Sequence, residues 1–145
     1  MIAFLLDCVV PTLIIHSTFF LLRQVCLGYH FNNLYVCLIW STIAFPISAN
    51  YIANLTMSFS TFYLYLHAVL LLLLIYTLAP KGTLNQPIIN QRHRIYLRKK
   101  MTIRLLLLVV VFYFSPQIIQ VFIIYGVFLE VIMLIIQSIK GEICK

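Results

Sequence analysis

The sequence predicts an all-α, multispan transmembrane protein: one domain of four or five membrane-crossing helices with one basic polar loop. Three observations predict it. Of 145 residues, 63% are hydrophobic and 9% charged, with a mean hydropathy of +1.06, whereas soluble domains carry about 25% charged residues. The apolar residues come in blocks long enough to cross ~30 Å of hydrocarbon at about 1.5 Å per residue. Six of the ten Lys and Arg residues stand in one knot, Arg92 to Arg104. Each such charge costs about 2.5–3.5 kcal/mol at the centre of a spanning helix, so the knot faces water or headgroups. The positive-inside rule puts it on the side of insertion, matrix or cytoplasm.

The first span is expected over residues 2–22, kinked at Pro11, with Asp7 near its outer end. A polar connection follows, with Gly28 and Asn32-Asn33 as turn signals. The second span, 34–52, carries Pro46, whose freed carbonyl nearby hydroxyls can satisfy. Asn54-Leu55-Thr56 is a glycosylation sequon hugging the membrane. The third span, 59–79, holds Tyr63, Tyr65 and His67 ahead of an unbroken aliphatic run, and Pro80-Lys81-Gly82 ends it. Residues 80–100 form the polar loop. The last apolar block would be about 55 Å long as one helix. Ser115-Pro116-Gln117 divides it into spans 101–115 and 118–139, giving five crossings; one long kinked helix would give four.

The N-terminus runs directly into apolar sequence, without a secretory or transit signal, so Met1 is expected to begin the mature chain. Leu and Ile number 46 and Gly and Ala only 10, a bias toward AT-rich codons that suits an organellar or viral gene. Few small residues mean few close helix crossings, so these helices are expected to pack against other subunits or lipid.

Glu130 is the one acidic residue deep inside an apolar run, and buried carboxylates in membranes commonly mark proton routes. It is the first proton-path candidate, followed by Tyr65 and His67; the plain alternatives are a partner chain's base for Glu130 and a local hydrogen bond for His67. Arg92, Arg94, Arg98, Lys99, Lys100 and Arg104 form a topology and lipid cluster, suited to anionic lipid such as cardiolipin. The net charge of +7 flanks apolar runs instead of forming a polar domain, which excludes nucleic acid as a partner. Cys8, Cys26, Cys37 and Cys144 show no C-x-x-C spacing and read as small buried hydrophobes. His16 and His30, fourteen apart, have the spacing of stacked haem ligands, but no second helix carries a matching pair. No cofactor, metal cluster or self-contained active site is expected.

Tyr65-Leu66-His67-Ala68-Val69-Leu70-Leu71 and the aliphatics after it resemble the third helix of subunit 6 of mitochondrial NADH:ubiquinone oxidoreductase. In that family a Tyr-x-Gly-Ala step precedes such a run, and an Asn-Pro begins the second helix about 35 positions earlier; here His67 stands for the glycine and Asn33 for the proline. The resemblance implies that Tyr65 lies near a bulge coupling quinone reduction to proton movement. The surroundings of Glu130 resemble subunit 4L. The expected function is therefore an organelle-encoded subunit of a respiratory complex in the mitochondrial inner membrane, partnered by other membrane subunits of that complex. The alternatives are a small viral or channel-forming protein that self-oligomerises, and a haem-bearing quinone-oxidoreductase anchor.

Overall fold

Within lipid every backbone N–H and C=O must find its partner inside its own segment, so apolar blocks of this length become helices. A computed structural model describes residues 2–27, 34–55, 60–80 and 90–143. The expected turn at Gly28 and Asn32-Asn33, His30, Thr56, the stretch 81–89 and Cys144 lie outside the described residues. The helices are α1 (Ile2–Leu5), α2 (Val9–Cys26), α3 (Leu34–Thr42), α4 (Ser48–Leu55), α5 (Thr61–Leu78), α6 (Gln91–Phe114) and α7 (Gln117–Ile143), with a π-turn, Ile43–Ile47, joining α3 to α4. Among the described residues there is no strand.

Each interruption has a local cause. Asp7 adopts a left-handed φ of 49°, which Asp tolerates better than most residues, and separates α1 from α2. Pro11 then falls in the first turn of α2, where its missing N–H costs nothing. Pro46 cannot donate, and the helix widens around it into the π-turn. There the Ser48 hydroxyl donates to the Ile43 carbonyl at 2.9 Å. Ser115-Pro116 ends α6, and α7 restarts at once at Gln117. The basic run, expected as loop up to Lys100, is helical from Gln91 onward: after Pro87 nothing in it breaks a helix, and charge alone does not.

Side-chain contacts give the directions. Gly126 of α7 lies against Ile15 and Thr18 of α2, and Glu130 lies against Arg23, so α2 and α7 run parallel. The Arg104 guanidinium donates to the Leu21 carbonyl, while the Gln120 side chain donates to the Phe112 carbonyl at 3.0 Å; α6 therefore runs opposite to α7. The Cys8 thiol donates to the Pro46 carbonyl and Phe45 packs edge-on against His16, so the chain from α3 to α4 descends beside α2. Tyr65 meets Phe112, which sets the start of α5 at the lower end. The end of α2, the start of α3, the end of α5 and the basic start of α6 thus share one end of the bundle.

Among the described residues four helical segments are long and apolar enough to cross a membrane: Val9–Cys26, Tyr35–Asn54, Thr61–Leu78 and Gln117–Ile139. The last is the axis of the molecule, 61% buried against 17–28% for the others. Leu22, Ile75, Met101 and Leu134 meet in the main core, and Cys8, Ile15, Phe45 and Phe122 in a second core below. Large apolar side chains such as Leu66, Leu106 and Phe114 stand outward, as lipid-facing surface should.

Gly126 sets how closely α2 and α7 approach. A Cβ there would lie 2.9 Å from the Ile15 carbonyl oxygen and 2.9 Å from Thr18 Cβ. Gly126→Ala should cost about 1–3 kcal/mol by overpacking, read as a lower thermal unfolding midpoint in detergent. Ile118→Ala, at an exposed position, should leave the midpoint in place.

Candidate functional site

The residues singled out in the sequence fall at different heights. Tyr65 is edge-on to Phe112, ring centroids 5.5 Å apart, and Gln120 marks the same level on α7. Glu130 is ten residues further along, about 15 Å by helical rise, so Tyr65 and Glu130 do not share a site. His67 is on the outer side of α5, its Nδ1 2.7 Å from the Tyr63 carbonyl oxygen. An apolar groove near Tyr65, walled by Ala68, Leu72, Leu108, Phe112 and Val127, offers no reactive group. Arg92, Arg94, Arg98, Lys99 and Lys100 are exposed along the first turns of α6, and Lys100 lies over the Tyr96 ring at 5.7 Å. Arg104 is half-buried and ties α6 to α2 through the Leu21 carbonyl.

Glu130 is where the charge chemistry concentrates. Its side chain is 0% exposed, with the Arg23 guanidinium 4.0 Å away, and among the described residues none donates a hydrogen bond to either carboxylate oxygen. Arg23 lies above the Phe19 ring at 5.9 Å. Cys26, buried, closes α2 three residues after Arg23. Two arginines, one carboxylate and the Cys26 thiol therefore gather at the last turns of α2. Ionisable groups at such depth are functional by default expectation.

The thiols differ. Cys8 and Cys26 are buried, and Cys37 is half-buried, one turn into α3. Reading every cysteine as apolar filler hides Cys37. The signal that singles it out is His30, seven positions earlier in the sequence, since cysteine and histidine are the residue types of a thiol nucleophile and its base. His30 lies outside the described residues. Among the described residues no three His, Cys, Asp or Glu side chains form a metal-holding group.

A family model described as AgrB, accessory gene regulator B, matches residues 1–134. No curated protein and no solved structure matches. AgrB is a bacterial membrane protease family, and the match overturns the resemblance to complex I subunits 6 and 4L. The respiratory-chain function, the mitochondrial inner membrane and the respiratory partner subunits fall with it, and the channel alternative gains no support. The physical reason is that short runs of Leu, Ile and Val recur in any lipid-facing helix and carry little family information.

Maleimide labelling of the membrane-embedded protein should separate the thiols. Cys37 is expected to label in the native state, with Cys8 and Cys26 labelling only after denaturation, as read by peptide mass spectrometry.

Proposed function

The chain belongs to the AgrB family, and from that premise we propose that it is a cysteine protease of the bacterial cell membrane that processes a quorum-sensing peptide. Cys37 is the nucleophile and His30 its general base. The observation that carries the reading is the place of Cys37: a half-buried thiol in the first turns of α3, with a histidine seven positions before it in the sequence.

Other protease chemistries find less support. The described carboxylates Asp7 and Glu130 are far apart, at the foot and near the head of the α2–α7 pair, so they do not form an aspartic dyad, whose two groups share one proton at close range. His93 is at the correct end but stands eleven residues before Arg104 on α6, about 16 Å beyond the level of Leu21 by helical rise. His67 and His16 are committed to Tyr63 and to the Phe20 and Phe45 rings.

In the reaction the Cys37 thiol gives its proton to the His30 imidazole, and the sulfur attacks the scissile carbonyl carbon. The tetrahedral adduct collapses, the C–N bond breaks, and the imidazolium returns the proton to the leaving amine. The remaining thioester is cleared by water, which restores the thiol and releases the acid. The basic head of α6 faces the cytoplasm by the positive-inside rule, so the cut falls on the cytoplasmic side.

Cys37→Ala should abolish cleavage of a precursor peptide in membranes, and His30→Ala should slow it at least ~100-fold, with His93→Ala near wild type. Cleavage is followed by mass spectrometry of the released fragment. Wild-type cleavage by Cys37→Ala overturns the reading.

A further inference from the structure

We propose that α5, α6 and α7 form a binding site for one anionic phospholipid, with its headgroup on Arg98 and Lys99 and an acyl chain in the apolar groove below them. The site stands whatever the role of Cys37. The groove opens between α5 and α6, which pack on α7 more than on each other. Ala68 walls it on α5, Leu108 on α6, and Val127 of α7 is its floor. The Tyr65 ring, edge-on to Phe112, stands at its lower end. Its volume is about 130 Å³, close to the ~150 Å³ of an apolar protein cavity that takes up benzene. A stretch of hydrocarbon chain fits that space, whereas a peptide helix of ~10 Å diameter is too thick for it.

What leads into the groove selects the occupant. At about 100° per residue, Thr102, Leu106, Val109 and Tyr113 follow one another down a single line of α6, and all four are exposed. Val109 and Tyr113 border the groove itself. Arg98 and Lys99, both exposed, head that line, one about 50° to either side of it. Lys100 is turned away, over the Tyr96 ring at 5.7 Å. Leu108 lies ten residues below Arg98, about 15 Å by helical rise, which is the depth of one leaflet in a hydrocarbon core of ~30 Å. Two cations at headgroup height and an apolar slot one leaflet lower have the dimensions of a phospholipid. Its phosphate pairs with the guanidinium and the ammonium, and its chain runs down the exposed line into the slot. Basic pockets beside spanning helices recognise anionic headgroups in this way.

The test is native mass spectrometry of the full chain in detergent, titrated with phosphatidylglycerol or with phosphatidylcholine of the same acyl chains. The wild-type chain should retain one phosphatidylglycerol at concentrations where phosphatidylcholine is lost. Arg98→Gln and Lys99→Gln should each weaken that retention about fivefold, the scale of one cation at a lipid headgroup. Lys100→Gln, with the same loss of charge, should leave it unchanged. Ala68→Trp fills the groove and should abolish retention with every cation in place, while Leu66→Trp, on the outward side of α5, should not. If Ala68→Trp fails to accumulate, Val109→Trp is judged by the same criterion. Equal retention of the two lipids by the wild-type chain overturns the proposal. So does an equal loss in Lys100→Gln, which would mean diffuse attraction to the whole basic face, or displacement of the lipid by excess glycerol 3-phosphate, which would mean an anion site without a chain. Wild-type retention in the groove-filling variant overturns it as well, as does a second copy of the chain held in place of the lipid and released by Ala68→Trp.

Discussion

A carboxylate enclosed by an apolar helix bundle is the constraint the structure is built around. Moving an ion out of water costs several kcal/mol even after relaxation, so a facing cation favours the charged form of Glu130, and Arg23 of α2 supplies it. That pairing fixes the rotation of α7 about its own axis. With Glu130 turned to α2, Gly126, one turn earlier on the same face, meets Ile15 and Thr18. The opposite side of α7 is then left for α5 and α6, and Val127, Val131 and Leu134 fill the core with Leu71, Ile75 and Met101. Electrostatics choose the face, and close packing follows from it.

The fold class is legible because it rests on additive quantities: block length, hydropathy and the clustering of Lys and Arg. Glu130 is legible for a related reason, since a lone acid in an apolar run stands out wherever its partner is. Arg23 is not. In the sequence it marks the end of a span, and its pairing with a residue 107 positions later has no local signature. The first half of α6 is misread for a different cause: polarity alone suggests loop, while helix formation there needs only good formers such as Gln91, Arg98 and Lys99 and the absence of a breaker. The proposed pair is hard to see because a cysteine within an apolar run is ordinarily filler, and only the histidine seven positions before Cys37 singles it out.

Gly126 also shows the limit of composition as a guide to packing. With 4 glycines in 145 residues, close crossings are expected to be scarce, and a single glycine placed at the α2–α7 contact is still enough to bring two helices together. The remaining helices pack through larger side chains, as Phe45 does between His16 and Phe19.

The π-turn at Ile43–Ile47 has a geometric corollary. Relative to a regular helix it accommodates one additional residue, and one residue corresponds to about 100° of azimuth. In its lower part and just below it, Phe45, Pro46 and Ala49 are clamped against α2; above it, Cys37 projects from a segment whose compass bearing the bulge has reset. Excising one residue from that turn would restore regular pitch while the lower half kept its anchorage, and would swing the sulfur by more than a quarter of a circle. The proline-centred widening thus acts as the azimuthal stop for the Cys37 thiol, set some two turns of helix away from it.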